Sequence, residues 1–135
     1  MADAPVRVMI AADKAYLRRA PTTLASLRAA TSGPIEVGVV MSGMSESHQK
    51  SFRAACPGRD ITFYDLGDAV PSTMATRFYL SPFAFARIFM PTLNDWSRFL
   101  YIDIDMTVLQ DVRPLFEMEM EGAPLAAVQT GGELN

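Results

Sequence analysis

Apolar residues fall along this chain in short runs separated by stretches with helical spacing. "VRVMIAA" (Val6–Ala12) reads as a buried strand that stops at Asp13. Leu17, Ala20, Leu24 and Leu27 then recur at helical spacing, predicting a helix from Tyr16 to about Ala30. Pro21 opposes that span unless the helix begins close to it, because its ring removes a helix hydrogen bond. "TSGP" closes the element. "IEVGVVMSG" (Ile35–Gly43) is a second strand, and Ser45 is placed to cap a helix running to about Ala55, before "CPG". "ITFYDLG" (Ile61–Gly67) is a third strand. "SPFAFARIFMP" (Ser81–Pro91) predicts a helix opened by Ser-Pro and ended by Pro91. "RFLYIDID" (Arg98–Asp105) is the fourth strand, "DVRPLFEME" offers one helical turn, and "GAPLAAVQT" (Gly122–Thr130) predicts a last strand. Strands alternating with helices indicate an α/β domain with a mostly parallel sheet.

That architecture gives the acids at strand ends a meaning. Ligands of open α/β sheets bind beyond the carboxyl ends of the strands. Asp13 follows the first strand and Asp103 the fourth, so both are expected on that edge. No G-x-G-x-x-G follows a strand and no G-x-x-x-x-G-K-[ST] occurs, which removes the usual glycine cradles for phosphate. Within an extended segment Asp103 and Asp105 point the same way, about 6–7 Å apart at Cα. Hard divalent cations prefer such carboxylate oxygens, and Mg²⁺ and Mn²⁺ are commonly shared between one or two carboxylates and a substrate phosphate. The competing reading is structural, since Asp also caps turns and ends strands.

Composition narrows the class. The chain has 135 residues, half of them hydrophobic, so one folded domain is expected over residues 1–135, with residues 1–5 ahead of the first strand disordered. Twelve basic residues against fifteen acidic ones give a net charge of −3, and no basic cluster stands out; this argues against nucleic acid as a partner. Cys56 is the single cysteine, which excludes a disulfide framework within the chain and a thiolate metal cluster. No run of about 18 apolar residues spans a membrane, and the N-terminus lacks the pattern of a signal peptide. A cytoplasmic protein is expected. His48, the only histidine, lies on a predicted surface helix, and the nine methionines read as core filling.

Three stretches resemble the family 8 glycosyltransferases: "AADKAYLRRAPTTLASL" (Ala11–Leu27), "FAFARIFMPTL" (Phe83–Leu93) and "RFLYIDIDMTVLQDVRPLF" (Arg98–Phe116). The resemblance covers nearly the whole chain but only about the first half of the family domain. It implies a Rossmann-like GT-A nucleotide-diphospho-sugar transferase fold, truncated, and a retaining hexosyltransferase reaction with a UDP-sugar donor and Mn²⁺ (or Mg²⁺). UDP-glucose or UDP-galactose would be the donor, and a glycan or other molecule the acceptor. By the same resemblance the donor nucleotide would lie against Ala11, Ala12, Asp13, Tyr16, Arg87, Asp103, Ile104 and Asp105. Asp13 would hydrogen-bond the uracil and Tyr16 would stack on it. Arg87 would reach the diphosphate. Asp103 and Asp105 would hold the metal, Asp103 also lying near the ribose. Ala15 stands where the family usually has Asn, which puts one ribose contact in question. No catalytic residue is assigned, because the family's metal-binding histidine and acceptor residues belong to a further segment.

Two other readings compete. "FLYIDIDMTVL" also resembles the haloacid dehalogenase phosphatases, with Asp103 as nucleophile and Asp105 as general acid through an aspartyl-phosphate. About a hundred residues precede the motif where that family has few, and too few follow it for the remaining lysine and acidic motifs. The non-enzymatic alternative is a binding or assembly module whose uncovered apolar surface favours a homo-oligomer.

Overall fold

The computed structural model describes residues 4–13, 17–56, 60–67, 69 and 82–129. Four parallel strands form one sheet in the order β3-β2-β1-β4, from β1 (Val6–Ala11), β2 (Ile35–Met41), β3 (Asp60–Asp65) and β4 (Leu100–Tyr101). α1 (Ala20–Ala30), α2 (Glu46–Ala55), α3 (Ala86–Leu93) and α4 (Arg113–Glu117) connect or follow them, with a 3₁₀ turn at Pro82–Phe85 leading into α3.

The sheet buries both faces. Val6, Val8 and Ile10 of β1 and Val37 and Val39 of β2 pack with Leu24, Leu27 and Phe52 on the face of α1 and α2. Met9 and Val40 point the other way, onto Ala86 and Met90 of α3. Central strands covered on both sides need apolar residues at consecutive positions, hence the unbroken runs in β1 and β2. Gly38 is required on the α3 face: a Cβ there would collide with the Met9 sulfur and press on the Tyr64 ring at 3.0 Å.

The helix starts follow local chemistry. α1 begins at Ala20, not Tyr16, which puts Pro21 in its first turn where the missing N–H costs nothing. Ser45 caps α2, its hydroxyl accepting from the His48 amide at 3.4 Å. Ser45→Ala is expected to cost about 1 kcal/mol in chemical denaturation, and an unchanged midpoint would show that the cap contributes nothing.

Three expectations fail. Pro91 lies inside α3, which continues to Leu93. The fully buried Met90 and half-buried Leu93 anchor that last turn, and the Asn94 side-chain amide donates to the Met90 carbonyl at 2.7 Å. β4 is two residues long, not eight, and Ile104–Asp105 form a turn. Residues 122–129 form no strand: they have no ladder partner, and Leu125 and Val128 are 77% and 89% exposed. Apolar alternation alone does not make a strand without a neighbouring edge to accept its hydrogen bonds.

After β4 the chain becomes a strap laid along α1. The Thr23 hydroxyl donates to the Ile104 carbonyl at 2.6 Å, and the Val108 amide donates to the Ser26 hydroxyl at 2.9 Å. At the far end the Asp111 carboxylate accepts from the Ser32 hydroxyl at 2.7 Å and from the Arg113 amide at 2.8 Å. Arg113 then donates to the carbonyls of Ala4 and Ser32, both at 2.9 Å, crossing Gly33, whose φ of +73° and lack of a side chain leave room for the guanidinium. The Arg113 amide and Ser32 hydroxyl bonds lower the Asp111 pKa below its ordinary 3.8. A depressed carboxyl pKa contributes stability above the unfolded value and loses it as pH falls through the folded one. The strap end is therefore expected to loosen below about pH 3.8, read as faster exchange of the Arg113 amide. Asp111→Ala should show that exchange already at neutral pH; protection equal to wild type would contradict this.

Candidate functional site at the carboxyl edge of the sheet

β1 and β4 are neighbours, with Met9 paired to Tyr101, and the Ile102 amide donates to the Met9 carbonyl at 3.1 Å. Asp13 and the Asp103–Asp105 turn therefore leave adjacent strands on the same edge. Ala11 is half-buried; Ala12 is fully buried, with its amide donated to the Val40 carbonyl at 2.9 Å. Asp13 is partly exposed, and its carbonyl accepts from Leu17 at 3.1 Å as the chain turns toward α1. Tyr16, and Ala15 beside it, lie outside the described residues.

Asp103 and Asp105 are both exposed, and their side chains have different partners. The Tyr101 hydroxyl donates to Asp103 Oδ1 at 2.5 Å. Tyr101 packs with the α3-side core, and the Arg87 guanidinium lies 5.0 Å from its ring centroid, with Arg87 Nε donating to the Ala84 carbonyl at 3.1 Å. Burial of the ring, then the bond to Asp103, push the Tyr101 phenol pKa far up, so the phenol stays protonated as a donor. Asp105 instead faces Arg19, just ahead of α1, at 3.7 Å. Both of those side chains are more than half exposed, so the pair is screened and adds little stability. Between the acids, Ile104 packs toward the α1 side and its carbonyl is held by Thr23.

The turn corrects the expected geometry of the two acids. They are not alternate residues of one extended strand, because the Thr23 hydroxyl and the core contact of Ile104 bend the backbone between them. Arg87 is brought to the site, but through the Tyr101 ring. Tyr101, Arg19 and Thr23 were missed as site-supporting residues. Only Tyr101 had a signal in the sequence, its two-residue spacing from Asp103.

The donor set suits a hard cation: two exposed carboxylates supply oxygen ligands of the kind Mn²⁺ and Mg²⁺ prefer. Among the described residues no group of three or more His, Cys, Asp or Glu side chains converges. Asp103 and Asp105 are the residues that could hold such an ion, and a bound phosphate or water would have to supply further oxygen ligands.

Comparison with known proteins gives a consistent picture. The sequence profile of Glycosyl transferase family 8 matches residues 7–134. A search of curated proteins finds no match. Among solved structures, the chain is similar to an active-site mutant of LgtC, with TM-score 0.72 and 23% identity, covering 84% of this chain and 42% of that one. A second structure of the galactosyltransferase LgtC, in complex with donor and acceptor sugar analogues, aligns with TM-score 0.71 at 23% identity over 84% of this chain and 43% of that one. The bifunctional glycosyltransferase WbbM aligns with TM-score 0.67 at 22% identity, over 87% of this chain and 22% of that one. The chain thus spans less than half the length of each of these structures. Their shared fold is the GT-A α/β architecture, of which this sheet and its helices form part.

Proposed function

The chain belongs to glycosyl transferase family 8, and from that premise we propose that it forms the donor-nucleotide part of a hexosyltransferase that uses a UDP-sugar and a divalent cation. The observation that carries this reading is that β1 and β4 are adjacent parallel strands, so Asp13, which follows β1, and Asp103 and Asp105, which follow β4, leave the sheet on one rim. That rim is where open α/β sheets take their ligands. Glycosyltransferase activity, the retaining outcome and the choice of acceptor belong to the same proposal. The LgtC complex with donor and acceptor sugar analogues supports it by likeness of fold.

The roles follow the chemistry of each side chain. Asp13 accepts hydrogen bonds from the uracil N–H, and Tyr16 offers an aromatic face to the base. Arg87 directs a guanidinium toward phosphate oxygens. Asp103 and Asp105 hold the ion, Mn²⁺ or Mg²⁺, while the backbone of Ala11, Ala12 and Ile104 shapes the floor. When bound, the cation supplies Lewis-acid stabilisation of the charge on the departing UDP. The chain's own residues bind and orient the nucleotide. UDP-glucose and UDP-galactose are the first donors to test.

The phosphatase alternative gives way to the family match, which takes in the same aspartates. Self-association fits the exposed apolar side chains Leu109, Leu125 and Val128. Cys56 is buried, and no helix among the described residues is long and apolar enough to cross a membrane.

Titration calorimetry with UDP, with and without MnCl₂, tests the reading directly. Binding that tightens in the presence of Mn²⁺ is the expected result. No binding under either condition would refute it.

A further inference from the structure

Resting on the donor-site reading above, we infer that Tyr101 is a positioning residue for the cation, acting by fixing the Asp103 carboxylate through its hydroxyl. The inference starts from the contacts of Asp103. A carboxylate at the end of a strand is free to turn about its side-chain bonds, and each turn would carry its oxygens away from an ion. Here Oδ1 receives the Tyr101 hydroxyl at 2.5 Å. A carboxylate has two oxygens, so a donor on one sets the plane of the group and directs the other outward.

The donor is itself held. The Tyr101 ring packs among the residues of the α3 face, and the Arg87 guanidinium lies over it, 5.0 Å from the centroid. Arg87 is tied in turn to the Ala84 carbonyl at 3.1 Å. A chain of contacts therefore runs from the 3₁₀ turn through Arg87 and Tyr101 to Asp103. Asp105 has no such support: its partner, Arg19, is 60% exposed and 3.7 Å away. The two acids are thus unequal, one pre-set by the core and the other adjustable. Partners that orient metal ligands commonly change metal affinity by about 10–100-fold when removed.

Tyr101→Phe removes the hydroxyl and keeps the ring beneath Arg87. The test titrates UDP into wild-type and Tyr101→Phe full-length chains, each with and without MnCl₂, and records thermal unfolding of both. Mn²⁺-dependent UDP binding is expected to weaken about tenfold in the variant, more than metal-free UDP binding does, with the melting temperature unchanged. In an Asp103→Ala background, Tyr101→Phe should then have no further effect. Equal Mn²⁺-dependent affinity in wild type and Tyr101→Phe would overturn the inference while leaving the donor-site reading intact. Equal losses with and without Mn²⁺, or a parallel fall in melting temperature, would assign the hydroxyl a structural role and likewise overturn it. Wild-type protein that binds UDP without any response to Mn²⁺ would remove both.

Discussion

Asp105→Ala is expected to remove the Mn²⁺-dependent part of UDP binding while leaving metal-free UDP binding near the wild-type level, and Asp103→Ala is expected to weaken both. The magnitude follows from the hierarchy of contacts. Loss of a partner that merely orients a metal ligand costs about 10–100-fold, so loss of one of the two proposed carboxylate ligands should exceed about a hundredfold. The difference between the two variants follows from position. Asp103 directly follows the end of β4 beside β1 and is proposed to lie near the ribose as well as the ion. Asp105 lies one residue past Ile104, beyond the turn, and faces Arg19. Neither acid is packed in the core, so both variants should unfold at nearly the wild-type temperature. Calorimetry with UDP and MnCl₂ checks the affinities and a melting curve checks the fold. Mn²⁺-dependent binding that survives in both variants would mean that the ion sits elsewhere.

Thr23→Val is expected to cost about 1–3 kcal/mol of stability, because it leaves a carbonyl near the core without its donor while conserving shape. Thr23 is 1% exposed, and its hydroxyl is bonded to the Ile104 carbonyl at 2.6 Å. That carbonyl belongs to the residue between the two acids, so the same substitution should also lower Mn²⁺-dependent UDP affinity. Thr23→Ser keeps the donor and should recover most of the binding. Ser45→Ala provides the contrast, loss of the cap on α2, which follows β2, two strands from β4, with no effect on binding expected. Denaturation and calorimetry on the three variants separate these outcomes. A Thr23→Val chain with wild-type stability would show that the strap is not held at this point.

The legible parts of the molecule were those governed by local chemistry and by periodic burial. The runs at Val6–Ala11 and Ile35–Met41 could only be strands covered on both faces, and Ser45 carries its cap wherever the helix packs. Asp13 and Asp103 were placed on one edge because a parallel sheet leaves little choice about which strand ends face together. The misreadings share one cause. β4 ends early because a hydroxyl on α1, 81 residues away in sequence, captures the Ile104 carbonyl. α3 passes through Pro91 because burial of Met90 and the Asn94 side-chain bond to the Met90 carbonyl anchor the last turn. The run at residues 122–129 stays irregular because, among the described residues, no strand edge pairs with it.

The amino-acid order alone determined the class of fold, the strands that build its centre, the two acids after β4, and the resemblance that led to the family. These depend on alternation, spacing and capping, which act over a few residues. Tertiary structure decided how the acids are held: Tyr101 and Arg87 behind Asp103, Arg19 beside Asp105, and Thr23 beneath the turn between them. Those partners are brought together by packing helices on both faces of one sheet, and contacts across layers leave no periodic trace in the chain.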